Sequence, residues 1–338
     1  MSRYLAAGLF ILGLAVFVFA LTYKKDTLFQ SPVGKIVPPK TLLKYTFVNL
    51  HNRSPQPSEI IFDREISDTN GLAVWVFHFT SLGKKISGEA NLPAKVSTQN
   101  ALAKPTVIMA HGYVEPKDYH VGMGTERVAA ELAKSGFVTL APDFAGYGES
   151  DKASPDAFED RFQTYTTMLD LISSVEQDCK LKIDADLIGA GDCKLALWGH
   201  SNGGQIALST LEISGQNLPT VLWNPVSKPF PYSILYYTDT FDDKGKNLRK
   251  ALADFESNYD VENYSTPNFY SWITGPVFIA QGGADESVPP KWSEELLADL
   301  KAATKEARLK MYPGADHNLM PSWNQAVADT INFYKEKL

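Results

Sequence analysis

Short apolar runs alternate with stretches of helical period along most of the chain. Leu72–Phe79 (LAVWVFHF) and Lys85–Leu92 (KISGEANL) read as strands, and the short link through Ser81-Leu82-Gly83-Lys84 makes them a hairpin. Thr106–Ala110 (TVIMA) is a short apolar run, as expected of a strand covered on both faces. Glu126–Lys134 sets alanines and leucines at helical spacing and stops at Ser135-Gly136. Phe137–Ala141 reads as the next strand, the region around Tyr165–Glu176 as a helix, and Leu195–Trp198 (LALW) as a strand leading into helix from Gln205 to Leu211. Thr220–Trp223 and Val277–Ala280 look like strands, Trp292–Leu300 like a helix, Ala307–Tyr312 like a last strand and Trp323–Lys335 like a last helix. Strand followed by helix at this spacing predicts right-handed crossovers and a mostly parallel, doubly wound sheet covered by helices on both faces. The interval from Asn224 to Trp272 breaks the rhythm, because it is far longer than one connecting helix needs. It reads as an insertion over about residues 228–264, helical around Leu248–Phe255.

The N-terminus follows a different pattern. Leu5–Leu21 holds no charged residue, and Tyr4 and Tyr23 bracket it. Tyrosine to tyrosine it would span about 30 Å as a helix, one hydrocarbon core. Residues 1–23 are therefore expected to be a transmembrane anchor, with a signal peptide cleaved near Val18-Phe19-Ala20 as the competing reading. Residues 24–44, with Pro32, Pro38 and Pro39, read as a tether, and 45–338 as the folded domain. The expected location is a membrane-anchored domain outside the cytoplasm, or a secreted one.

Composition narrows the function classes. Of 338 residues, 44% are hydrophobic and 21% charged, which excludes a disordered chain. A net charge of -7 argues against nucleic acid as a partner, since phosphate binding needs a basic surface. The chain has no HExxH, CxxC, GxxxxGK or GxGxxG, so neither a metal nor a cofactor is expected. The two cysteines are Cys179, at the expected end of the helix before LALW, and Cys193, just ahead of that strand. They are either a disulfide closing a short loop or two separate buried thiols. Only a domain outside the cytoplasm would keep the bond.

The chemistry lies at Gly199-His200-Ser201-Asn202-Gly203, a G-x-S-x-G between strand and helix. The turn is cramped, so glycines relieve collisions while the serine hydroxyl is lifted above the strand end. A serine needs a base. Of the six histidines, only His317, in the loop Tyr312-Pro313-Gly314-Ala315-Asp316-His317, lies well beyond the serine in the chain. His200 neighbours Ser201 but is expected to point away from it. A carboxylate must orient the imidazole. Asp285, where VFIAQGGA leaves its strand, is the candidate, ahead of Glu286 beside it and of Asp316, which reads as a turn residue. The oxyanion donors are expected to be the amides of Asn202 and, in the loop after TVIMA, Tyr113, with His111 bracing that loop.

HGY after a strand, FVTLAPDFAGYGESD, GHSNGG, QGGADESVPP and YPGADHN stand in the order and spacing of the α/β-hydrolase superfamily, over roughly residues 70–338. Within it, the stretch from Tyr264-Ser265-Thr266-Pro267 through Val288-Pro289 resembles prolyl-oligopeptidase-type catalytic domains, a pattern shared with dienelactone-hydrolase-like and acyl esterases. The loop with Asp143, Gly146, Gly148 and Ser150 looks like the superfamily's structural loop after the fourth strand. The resemblance implies an α/β-hydrolase fold with a lid inserted after the sixth strand. It implies a serine hydrolase acting on a small-molecule ester, or alternatively a peptidase acting on short peptides. Only about 45 residues (Asp26–Asn70) separate the apolar segment from the region of resemblance, too few for the β-propeller of the large peptidases of that group. A tethered binding protein that kept the fold without activity is the remaining rival.

Overall fold

The structure, a computed structural model, describes residues 40–69, 71–94, 96–184 and 193–338. The apolar segment 5–21 and most of the expected tether lie outside these residues. Among the described residues no helix is long and apolar enough to cross a membrane. Packed chain begins inside the stretch read as tether: Leu42 and Tyr45 are buried, and the Tyr264 hydroxyl donates to the Leu42 carbonyl at 3.0 Å.

Among the described residues nine strands form one sheet, ordered β1-β2-β3-β5-β4-β6-β7-β8-β9. These are β1 Ile61–Thr69, β2 Leu72–Ser81, β3 Lys84–Pro93, β4 Thr106–Ala110, β5 Val138–Pro142, β6 Leu195–His200, β7 Thr220–Trp223, β8 Val277–Gly282 and β9 Ala307–Tyr312. The expected hairpin is β2–β3, antiparallel from Leu72↔Pro93 to Ser81↔Lys84. From β5 to β9 the ladders are parallel. The pattern of apolar positions does not reveal β1. Its sequence IFDREISDT carries charges on both faces, and it is an edge strand with two register shifts against β2. Charge and bulges are how an edge avoids pairing with another chain. With β1 counted, the insertion follows the seventh strand rather than the sixth.

The main helices are α1 Glu126–Lys134, α2 Ala157–Asp184, α3 Asn202–Ser214, α4 Lys246–Glu256, α5 Pro290–Ala302 and α6 Trp323–Lys337. Adjacent side chains of a strand point to opposite faces, and β4 shows it. Ile108 joins the core with Phe162 and Tyr165 of α2 and Ile206 of α3. Val107 and Met109 join the other, with Leu132 of α1 and Phe333 of α6. Helix α2 runs past Cys179 to Asp184, so that cysteine sits inside the helix and not at its end. Cys179 and Cys193 are disulfide-bonded, with Cα atoms 6.0 Å apart, inside the usual bridging range.

Most aromatic rings of the insertion pack it onto the body. Phe230 lies 5.4 Å and Tyr264 4.8 Å from Phe162 of α2, and Phe255 lies 5.0 Å from Phe158, centroid to centroid. Tyr236 meets Trp292 of α5 at 4.8 Å, and the Tyr237 hydroxyl donates to the Ser287 carbonyl at 3.3 Å.

Candidate active site

Strand β4 lies between β5 and β6, so the order of the parallel strands reverses there. In open α/β sheets the crevice beyond the carboxyl ends of the strands at such a reversal is where ligands bind. Ala110 pairs with Gly199 at that end, which sets the loop His111-Gly112-Tyr113 beside the turn into α3.

That turn holds Ser201 at φ 58°, a left-handed conformation that costs a side-chain-bearing residue energy. The flanking glycines make it sterically possible. A Cβ on Gly199 would lie 2.2 Å from the Gly203 carbonyl oxygen, and one on Gly203 would lie 2.0 Å from that of Ala110. The Ser201 amide donates to the Trp223 carbonyl at 2.9 Å, pinning the turn to β7. Asn202 opens α3, so its amide is one of the first-turn N–H groups that have no partner within the helix. A Cβ on Gly112 would stand 3.8 Å from Ser201 Oγ, which measures how closely the loop before Tyr113 passes the hydroxyl. The Tyr113 side chain is exposed, so its expected contribution is that of its backbone. Burial pushes the pKa of His111 down, so the ring carries one proton. It donates from Nδ1 to the Gly112 carbonyl at 2.7 Å, with Nε2 3.2 Å from the Asp143 carbonyl oxygen, bracing the loop.

The candidate acid and base follow neighbouring strands. The ladder from Val277↔Ala307 to Gly282↔Tyr312 ends β8 and β9 side by side, and their loops meet. His317 donates from Nδ1 to Asp285 Oδ2 at 2.8 Å, so that in a neutral imidazole Nε2 is the nitrogen that can take a hydroxyl proton. Asp285 Oδ1 accepts from the Ser287 and Val288 amides at 2.8 and 2.9 Å. Burial pushes the Asp285 carboxyl up, but the His317 bond, these amides and the imidazole's charge outweigh it and hold it below its ordinary value. Glu286 is exposed. Asp316 is occupied with its own turn, accepting from the Asn318 and Met320 amides at 2.8 and 2.9 Å. Among the described residues the Ser201 hydroxyl makes no hydrogen bond, and such contacts often close only when substrate binds.

Two residues that the sequence did not single out hold the His317 loop. His200 was expected to point away. It does turn from the serine, but toward His317: the rings are 4.7 Å apart, and His200 Nε2 donates to the His317 carbonyl at 2.8 Å. Burial, with the charge of His317, pushes its pKa down to about 4, so it is a neutral donor. Asn224, fully buried after β7, donates to the same carbonyl at 2.6 Å and accepts from the Gly282 amide at 2.7 Å. The only sequence signal was an asparagine at a strand end, where φ is 44° and asparagine tolerates that conformation.

The loop after β5 is structural. Asp143 is buried and accepts from Ser87 Oγ, the Tyr119 hydroxyl and the Gly122 amide at 2.6, 2.8 and 3.0 Å. Beside the serine turn a cavity of about 190 Å³ is lined by Gly112, Tyr113 and Asn202 and by Tyr147, Arg161 and Tyr165.

The model of the prolyl oligopeptidase family matches residues 125–338. The chain is 24% identical over 277 residues to the monoglyceride lipase of Saccharomyces cerevisiae (strain ATCC 204508 / S288c), covering 67% of this chain and 81% of that one. Among solved structures it is similar to acetyl xylan esterase 1 from Thermoanaerobacterium sp. JW/SL YS485, at 18% identity and TM-score 0.53. That likeness covers 88% of this chain and 99% of the other. It is similar also to Est1E from Butyrivibrio proteoclasticus with ferulic acid bound, at 20% identity and TM-score 0.53 over 77% and 98% of the two chains. At these identities the solved structures establish the α/β-hydrolase fold.

Proposed function

Because the chain belongs to the prolyl oligopeptidase family, its class is that of a serine hydrolase, and we propose that it cleaves a carboxylic ester through an acyl-enzyme on Ser201. The observation that supports the assignment is the Asp285–His317 bond at 2.8 Å, together with a serine held on a strained strand-to-helix turn. Ser201 Oγ attacks the ester carbonyl while His317 Nε2 takes its proton, and Asp285 stabilises the imidazolium. The amides of Tyr113 and Asn202 receive the oxyanion. The alcohol leaves with the proton from His317, and water, deprotonated by the same nitrogen, releases the acid. That the relatives named above are a lipase and esterases supports ester over amide. Family membership supports the second reading, a peptidase acting on short peptides through the same residues.

Labelling with a fluorophosphonate probe tests the nucleophile: the wild type should react and Ser201→Ala should not. Kinetics on p-nitrophenyl esters beside aminoacyl-naphthylamides separate the two readings, and higher kcat/KM on the amides overturns the esterase.

The proposal extends to location and access. The apolar residues 5–21 support attachment to a membrane, or secretion if that segment is cleaved. The disulfide supports a domain outside the cytoplasm. Insertion 228–264 would act as a lid, with Tyr236 and Tyr237 beside the Asp285 loop. Extraction of the full chain by detergent but not by alkaline carbonate would support the anchor, and release into the medium the signal peptide.

A further inference from the structure

The cavity beyond Ser201 contains a guanidinium that the reaction above does not use. Arg161 projects from α2 into its wall. Among the described residues no carboxylate lies within ion-pair reach of it, although the chain's other buried cation–anion contacts are made, as Arg53 shows with Asp170 at 2.5 Å. Its Nε is buried without a hydrogen-bond partner. An orphaned buried N–H is costly, and packing alone does not explain this one. The side chain is also held in place. One terminal nitrogen donates to Gln205 Oε1, and buried Gln205 donates in turn to the Lys228 carbonyl and to Ser233 Oγ, both at 3.3 Å.

The position of the cavity identifies which part of a substrate meets this group. In the reaction as proposed, His317 hands its proton to the leaving alcohol, so the alcohol lies on the His317 side. The cavity is lined by the oxyanion residues and not by His317 or Asp285, so it lies on the acyl side. Its walls include Tyr113, Phe144 and Tyr147, which suit a short carbon chain, together with Arg161.

We propose that Arg161 selects esters whose acyl group ends in a carboxylate a few carbons from the scissile carbonyl, pairing with that carboxylate through its unused N–H groups. The planar fork of a guanidinium matches a carboxylate as a lysine ammonium does not. The proposal rests on the ester-cleaving reading above. Asp160 lines the same cavity and opposes an incoming anion. Burial pushes its carboxyl up, while the Ser154 amide at 3.3 Å and the charge of Lys84 pull the other way.

The test is the ratio of kcat/KM for mono-p-nitrophenyl glutarate to that for p-nitrophenyl butyrate, measured on the full chain. In the wild type the carboxylated ester should be preferred. In Arg161→Gln the ratio should fall about tenfold or more, the range of a hydrogen-bonded charge pair. Arg161→Lys should fall between the two, and Asp160→Asn should raise the ratio by removing the opposing charge. A wild type without the preference, or an Arg161→Gln that keeps it, overturns the proposal. Calorimetric titration with glutarate keeps the two readings apart. If no ester is turned over but glutarate binds the wild type and not Arg161→Gln, the esterase reading falls and the carboxylate site stands. If the wild type does not bind glutarate, the carboxylate site falls.

Discussion

Asn224→Ala is the sharpest probe of how the candidate site is held together, because Asn224 touches no reacting atom. Its side chain joins the His317 carbonyl at 2.6 Å to the Gly282 amide at 2.7 Å, and it is fully buried. Truncation leaves the Gly282 N–H unpaired in the interior, about 1–3 kcal/mol. Alanine at φ 44° adds about 1 kcal/mol of backbone strain that asparagine tolerates better. The sum predicts a loss of about 2–4 kcal/mol in equilibrium urea unfolding. Asn224→Gly should recover about 1 kcal/mol of it, since only the strain is relieved. The His317 carbonyl would keep only its bond from His200. A displacement near 1 Å can cost about 10²-fold in rate, so kcat on a p-nitrophenyl ester should fall about 10- to 100-fold while KM moves little. A fully active Asn224→Ala with an unchanged unfolding midpoint would refute the claim that this clamp positions the base.

The other expectations are quickly stated. Ser201→Ala and His317→Ala should remain folded by circular dichroism and lose about 10³-fold or more in kcat, because the triad acts as a unit. Asp285→Asn should be comparably damaged, with Glu286→Gln and Asp316→Asn mild; a crippling Glu286→Gln would overturn the acid assignment. Glu212, in α3, is fully buried with both carboxyl oxygens unpartnered, and burial pushes its pKa well up. The folded state thus holds that proton more tightly than the unfolded one, so stability is fully present below about pH 4.3 and declines as pH rises above it. Glu212→Leu should flatten this slope in Tm measured across pH and stabilise the protein by about 1–3 kcal/mol at neutral pH. Protein from its native compartment should show no free thiol under denaturing, non-reducing conditions, and reduction of Cys179–Cys193 should cost about 3 kcal/mol for a loop this short.

Much of the candidate site was legible in the sequence because its demands are local. A serine on a left-handed turn needs glycines where backbones nearly touch, and Gly199 and Gly203 announce that need in one dimension. Strands buried on both faces are apolar at nearly every position, so TVIMA, LALW and TVLW stand out. Strand β1 did not, since an edge strand meets water on both faces and its charges erase the alternation. Chain order singled out His317 but could not measure its distance from anything. Asp285 was preferred to Glu286 and Asp316 on position alone. Its amide cradle, and the turn that occupies Asp316, belong to the folded loops.

By itself, then, the sequence determined the layered α/β class and the strained serine turn, because each follows from sterics or periodicity within a few residues, and it offered candidates for the acid and the base. The tertiary structure alone decided which atoms meet. The parallel pairing of β8 with β9 brings Asp285 to His317, and that of β4 with β6 brings the Tyr113 loop to Ser201. His200, at the end of β6, and Asn224, just after β7, became clamps on one carbonyl of a distant loop. Arg161 looks like any charged residue of a long helix until the loops after β4 and β5 and the start of α3 form a cavity around it. Burial and pairing depend on contacts far apart in the chain, and no local pattern encodes them.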